Sequence, residues 1–379
     1  NELQDAYLQL KQQASHDALT GILNRGAILE HFSQQLSQVR DSNKELAVII
    51  PDIDHFKTAK GDDMEKKILI AVDDSEHAKN AVRYAAMISS AVKNLTYTLY
   101  YVQPAVSQYL IDEAAASPKA KAALDKMYKK QAEQGMRILE DQKTRMVDLG
   151  IAGGRIETVT LPRNAGLAKD ILQYAQDRYY DAIVVGRRGL SRLQEVFMGS
   201  LTRNLLEFSE TIPVWIIDRE ITSTSIMLAV DGSSASFRAA DHLSFMVGGN
   251  PSVKITLYHV TPSARDCFAL DLNAGSKTTE ADEKELEEIL KSGDKKSMDI
   301  FLAHARRMFA EAGLSEDQVT VKAVQSRGGI GKQVMQEFKN GKYGTLVIGR
   351  RGINKSFFMG SVSDYLINKV SDGAVWLVP

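Results

Sequence analysis

From residue 64 onward the chain says the same thing twice, and this self-similarity limits the fold more than any other feature. KILIAVDDSEHA (67–78) parallels SIMLAVDGSSAS (225–236), TYTLYYV (96–102) parallels KITLYHV (254–260), and YDAIVVGRRG (180–189) parallels YGTLVIGRRG (343–352). The copies close on IPVWIID (212–218) and GAVWLVP (373–379). One structural plan must therefore serve both copies.

Each copy alternates short β-branched runs with helical patterns, which is how a parallel sheet covered on both faces reads in sequence. In the first copy the strands are expected near 67–73, 95–102, 155–161, 181–186 and 213–217, with helices near 76–92, 118–148, 166–178 and 200–208. The second copy follows the same scheme, with a charged insertion at 276–297 before its long helix. Right-handed crossovers then give a doubly wound sheet, with ligands at the carboxyl ends of strands near the switch point. The domains expected are 1–63, 64–219 and 220–379, in keeping with a chain of 379 residues that is too long for one ordinary core.

Charge and cysteine usage narrow the function classes. A net charge of −1 gives no global attraction to nucleic acid or to an anionic membrane, so neither is an expected partner. Cys267 is the only cysteine; no internal disulfide or Cys-based zinc cluster can be built, and a reducing cytoplasm fits. The seven histidines are scattered without a metal pattern. No apolar run is long enough to span a bilayer, and the first residues lack the basic-then-apolar pattern of a signal peptide.

The stretch Asp181–Ser200, DAIVVGRRGLSRLQEVFMGS, carries the candidate chemistry. A buried strand ends in Gly186, Gly189 follows, and Gly199-Ser200 opens the next helix. Glycines let the backbone approach an anion, and the free N–H groups at a helix start favour negative charge. The spacing is neither a P-loop nor GxGxxG. It resembles the ATP-binding motif of the universal stress protein family, and that resemblance extends over both copies.

The resemblance implies two Rossmann-like α/β domains of the adenine nucleotide alpha hydrolase type, each a five-stranded parallel sheet of order 3-2-1-4-5. It implies ATP or another adenine nucleotide as ligand, a magnesium ion as its optional companion, and a stress-response role with at most slow, incidental ATP hydrolysis. Asp73 and Val102 would contact the nucleoside, while Gly186, Gly189, Gly199, Ser200 and Thr202 would hold the phosphates. Arg187, beside Arg188, either clamps a phosphate or faces solvent. The second copy offers Asp231, Val260, Gly349, Gly352, Gly360 and Ser361, with a glycine gap two residues shorter. Each glycine has a plainer reading as a turn, and Asp73 as a cap for the helix that Ser75 begins. His259 sits next to Val260. Gly328-Gly-Ile-Gly-Lys332 fails as a P-loop and reads as a helix start. The family also implies association through the last strand of each domain, which two copies in one chain can satisfy internally as a pseudo-dimer, with a homodimer of chains beyond that.

The front of the chain is different. SHDALTGILNR (15–25) and LAVIIPDIDHFK (46–57) resemble the opening of a diguanylate cyclase (GGDEF) domain. That resemblance implies a small α+β fragment in which Asp52 would hold a divalent metal. Since no GGDEF or GGEEF sequence occurs in the chain, the plainer reading of Asp52 is an acidic residue at an exposed strand end. Two alternatives stand beside nucleotide binding: a cyclase-related signalling protein, and a nucleotide-free interaction scaffold.

Overall fold

The computed structural model describes residues 65–187, 198–263, 266, 280–351 and 360–379. The cyclase-like segment with Asp52, the two loop glycines Gly189 and Gly352, and Cys267 lie outside the described residues.

The first repeat runs β1 (Lys66–Ala71), α1 (Glu76–Ile88), β2 (Leu95–Val102), α2 (Gln108–Ala116), α3 (Pro118–Asp148), β3 (Ile156–Leu161), α4 (Leu167–Asp177), β4 (Ala182–Gly186), α5 (Ser200–Phe208) and β5 (Val214–Ile217). The second runs β6 (Ile226–Val230), α6 (Ser234–Val247), β7 (Ile255–Thr261), α7 (Glu280–Glu311), β8 (Val319–Gln325), α8 (Ile330–Asn340), β9 (Thr345–Gly349), α9 (Ser361–Lys369) and β10 (Ala374–Val378). Short side chains set the helix starts. Ser75, Ser107, Ser117 and Ser233 each accept an N–H from the first turn, and Pro118 follows Ser117 at a position where its missing N–H costs nothing. Gly166 and Gly329, at φ 126° and 107°, turn the chain into α4 and α8, so the Gly328–Lys332 phrase is a helix start. Much of the charged 276–297 stretch is itself helical, because α7 already begins at Glu280.

The strands form one continuous sheet of ten, in the order β3-β2-β1-β4-β5-β10-β9-β6-β7-β8. This corrects the expectation of two separate five-stranded sheets. The physical reason lies in the last strand of each repeat. VWII and AVWLV are buried at every position, and a strand apolar on both faces cannot be left as an edge. β5 and β10 therefore pair with each other, antiparallel, in an otherwise parallel sheet. Each of the two strands now has a neighbour on both sides, so a chain-to-chain dimer built on those edges has no edge left to use.

Helices cover both faces of the sheet. One apolar cluster joins α1, α3, α6 and α7 to the sheet, and the other joins α4, α5, α8 and α9; both run across the two repeats. α2, which the sequence reading did not anticipate, packs on α3.

At the seam Trp376 lies directly opposite Trp215. Their rings stack at 3.8 Å and 1°, and neither indole is exposed. A buried indole N–H needs an acceptor. Trp215 Nε1 donates to His242 Nε2 on α6 (3.2 Å), and Trp376 Nε1 donates to the Tyr84 hydroxyl on α1 (2.8 Å). Each tryptophan is thus satisfied by the first helix of the opposite repeat. Tyr84 is also bonded to Thr345 Oγ1 (2.8 Å), and its burial pushes the phenol well above its usual range.

The seam gives a first prediction. Trp376→Ala should cost about 3–5 kcal/mol, as expected for emptying a packed aromatic site. Tyr84→Phe, which keeps the packing but strips the indole N–H of its acceptor, should cost about 1–3 kcal/mol. Urea denaturation of both variants measures these values, and an unchanged midpoint for Tyr84→Phe would contradict the hydrogen-bond account.

Candidate functional site

The crevice at the carboxyl ends of the strands in the first repeat is bounded by the ends of β1, β2 and β4 and by the start of α5. Asp73 lies just past β1. One of its oxygens, Oδ1, accepts both the backbone N–H (3.0 Å) and the hydroxyl (2.5 Å) of Ser75. Ser75 in turn caps α1 by accepting the Ala78 N–H (3.1 Å). The capping reading of Asp73 is therefore realised through one oxygen, while Oδ2 is not used by that turn. Val102 closes β2, but its side chain is buried in the cluster under α4, which leaves its backbone as the part able to meet a ligand.

Gly186 ends β4 where α1 comes closest. A Cβ there would lie 2.6 Å from the carbonyl of His77, so only glycine lets the helix pack on the strand end. Beyond it the stem of the glycine loop is locked. The Gly199 N–H donates to the Arg187 carbonyl (3.0 Å), and the buried Thr202 hydroxyl donates to Gly186 O (3.0 Å) and Arg187 O (3.3 Å). Thr202 thus spends its hydroxyl proton on the stem, not on a phosphate. Gly199 is the N-cap of α5, no side chain among the described residues caps the helix, no acidic residue occupies its first turn, and Ser200 is exposed at its first position.

Arg187 does neither of the two things its sequence position suggested. It is buried, and its guanidinium donates to the Val370 and Ile367 carbonyls (Ile367 at 2.5 Å) at the far end of α9 in the other repeat.

The second repeat repeats this framework. Asp231 Oδ1 accepts the Ser233 N–H (3.0 Å) and the Ser236 hydroxyl (2.7 Å). A Cβ on Gly349 would meet Ala235 Cβ at 2.7 Å. The Gly360 N–H donates to Arg350 O (3.0 Å), and the Ser363 hydroxyl donates to Gly349 O (2.8 Å). Gly360 caps α9 without a side-chain hydrogen bond, Ser361 is exposed, and Val260 is packed under α8 like Val102 under α4. The stems match, so the two-residue difference in length falls entirely between Arg350 and Gly360.

Two residues at these crevices, Tyr101 and Arg163, escaped the sequence reading. Tyr101, next to Val102, is half-buried; burial and then the nearby Asp73 carboxylate push its phenol up, with Arg163 pulling the other way. The Tyr101 phenol therefore feels both the Asp73 carboxylate and the Arg163 guanidinium. At the corresponding place His259 is buried, its Nδ1 on Val230 O and its Nε2 on Asp294 Oδ2, both at 2.9 Å. Both ring nitrogens are engaged, so His259 braces the end of β6 instead of facing a ligand. The one signal for Tyr101 was adjacency to Val102, whose role had itself only been inferred; Arg163 carried no such signal. Among the described residues no group of three His, Cys, Asp or Glu side chains could hold a metal ion, and no helix is long and apolar enough to cross a membrane.

The family profile described as "universal stress protein family" matches residues 64–218 and again 223–379. The chain belongs to the universal stress protein family. Universal stress protein YxiE of Bacillus subtilis is 26% identical over 155 residues, covering 41% of this chain and 99% of YxiE. A universal stress protein from Archaeoglobus fulgidus shares the fold, with a TM-score of 0.55 and 17% identity over 82% of this chain and 97% of that one. Ahead of this tandem universal stress protein, the profile "diguanylate cyclase, GGDEF domain" matches residues 14–63. The cyclic di-GMP phosphodiesterase NbdA of Pseudomonas aeruginosa is 37% identical over 92 residues, but these cover only 24% of this chain and 12% of NbdA.

Gly186 distinguishes scaffold from ligand contact. Gly186→Ala should destabilise the universal stress domains by about 1–3 kcal/mol with no nucleotide present, because the added methyl meets helix backbone. Thermal melting of the nucleotide-free protein tests this; wild-type stability with loss of ligand binding alone would show the glycine serves a ligand instead.

Proposed function

We propose that the tandem universal stress protein binds an adenine nucleotide, ATP first among them, in the crevice of the first repeat, and that it acts by binding and not by catalysis. The observation that carries this reading is the uncapped start of α5. Its first-turn N–H groups, which no side chain among the described residues caps, and the exposed Ser200 stand beside a stem fixed by the Gly199 and Thr202 bonds. A helix start with no acidic residue in its first turn suits a polyphosphate, by dipole and by N–H donation. Asp73 Oδ2 offers an acceptor for ribose hydroxyls, and the backbone at Val102 offers an edge for the base. Gly189 would complete the phosphate cup. Magnesium would arrive with the nucleotide.

The second repeat is a weaker site in this reading. Asp364 places a carboxylate in the first turn of α9, where it opposes an anion, and the loop carrying Gly352 is shorter. Asp231, Val260, Gly349, Gly360 and Ser361 remain its candidate contacts. The cyclase match stops at residue 63, and the chain contains no GGDEF or GGEEF sequence, so we assign it no cyclase activity.

Titration calorimetry with ATP and magnesium, with mass spectrometry of nucleotide released on denaturation, tests the reading. Wild type should bind ATP, and Gly199→Val should weaken binding about 100-fold, the equivalent of one or two charge-assisted hydrogen bonds at ~1.5–3 kcal/mol each. Asp73→Ala should weaken binding about 10-fold or more while leaving the phosphate cup intact. Absence of any ATP heat and of any co-purified nucleotide would leave the scaffold reading in its place.

A further inference from the structure

We propose that the two nucleotide crevices are mechanically coupled, because the arginine at the root of each glycine loop holds the helix that opens onto the other loop. This rests on the nucleotide reading above and extends it to regulation.

The geometry is reciprocal. Arg187, whose carbonyl accepts the Gly199 N–H in the first loop stem, sends its guanidinium to the Ile367 and Val370 carbonyls at the carboxyl end of α9. Arg350, whose carbonyl accepts the Gly360 N–H in the second stem, sends its guanidinium to the Ser209 and Glu207 carbonyls (Glu207 at 2.8 Å) at the carboxyl end of α5. Both arginines are buried, with exposures of 7% and 6%, so these bonds are sheltered from solvent. Guanidinium donors on the last carbonyls of a helix satisfy its orphan acceptors and complement its dipole.

The links close into a ring. The first stem grips α9 at its carboxyl end, and the amino end of α9, Gly360-Ser361, is the second phosphate cup. The second stem grips α5 at its carboxyl end, and the amino end of α5, Gly199-Ser200, is the first cup. Each helix has nine residues, roughly 13 Å, too short to absorb a shift by bending. An anion that draws the start of α5 toward itself therefore pulls on Arg350 through Ser209 and Glu207. The same anion loads the Gly199 N–H bond to the Arg187 carbonyl, and with it the guanidinium that holds α9. No ordinary cap does this, since a capping residue normally comes from its own helix or the turn beside it. Here the cap donors lie 180 and 183 residues (Arg187) and 141 and 143 residues (Arg350) from the carbonyls they hold, and they are exchanged between the repeats.

Hydrogen–deuterium exchange on single-site proteins tests the coupling. In Gly360→Val, which disables only the second cup, ATP and magnesium at a concentration that fills the first site should slow exchange at the carboxyl end of α9 about fivefold or more, within the ordinary range of site-to-site coupling. Adding Arg187→Met should abolish that response at equal occupancy, checked by calorimetry. Arg350→Met in a Gly199→Val protein is the mirror experiment for any ATP bound by the second repeat. If Gly360→Val and wild type both fail to bind ATP, the nucleotide reading falls and the coupling with it. If ATP binds but α9 exchange is unchanged, or if the change survives Arg187→Met, the coupling alone is overturned. Should Arg187→Met fail to fold, the response of α9 in Gly360→Val decides the matter without it.

Discussion

Two tryptophans meet ring to ring, 3.8 Å apart, where the last strands of the repeats run past each other, and the rest of the ten-stranded body is arranged around keeping them dry. An indole carries one N–H that must be satisfied even in a core. Neither repeat satisfies its own. The acceptors are His242 on α6 for Trp215 and the Tyr84 hydroxyl on α1 for Trp376, residues at matching positions on matching helices but each from the other copy. The seam is thus a domain interface only in sequence terms; physically it is the middle of a core, with both apolar layers running through it.

What fixes the seam also fixes the crevices. Arg187 donates its backbone N–H to Ile217 at the end of β5, and Arg350 donates its own to Val378 at the end of β10, both at 2.7 Å. The roots of the glycine loops are therefore registered against the two strands that carry the tryptophans. Gly186 and Gly349 bring the first helix of each repeat onto the adjacent strand end, and those same helices supply Tyr84 and His242 to the seam. Loop stem, first helix and last strand are three sides of one packing problem. The architecture of a ligand crevice at the carboxyl ends of parallel strands follows from that, before any ligand contact is considered.

How much of this could be read from the chain depends on the range of the interaction. The repeat, the strand and helix order, and the helix start at Ser75 are local patterns, and they were legible. The association of the last strands was expected only from the family resemblance, and the structure realises it between β5 and β10 of one chain. The joining of the sheets into one was not read, since periodicity describes each strand's faces and says nothing of which edge it meets. Thr202 was expected on a phosphate from the family resemblance, and Arg187, beside Gly186, either on a phosphate or in solvent. Thr202 serves the stem 15 and 16 residues back, and the Arg187 guanidinium serves carbonyls 180 and 183 residues away. A single sequence carries no trace of contacts at the longer range. α2 escaped because SQYLIDEAAA is short and its apolar residues Tyr109 and Leu110 are exposed, so burial leaves no stripe on it.

The two copies share this framework and differ where a ligand would be met. Tyr84 is matched by His242, and Tyr101 by His259, whose ring is tied to Val230 and Asp294 while Tyr101 stays half-open beside Asp73. The start of α5 has no acidic residue; that of α9 has Asp364. Electrostatics therefore separates the sites more than geometry does, because the stems superpose in kind, bond for bond, through Gly199 and Gly360. A duplicated domain that must keep its seam can vary only what the seam does not use. In this chain those positions are the strand-end residue before Val102 or Val260, the loop between the stem bonds, and the first turn of the helix. A framework held constant while its crevices diverge at just those places lets one continuous sheet carry two chemically different crevices.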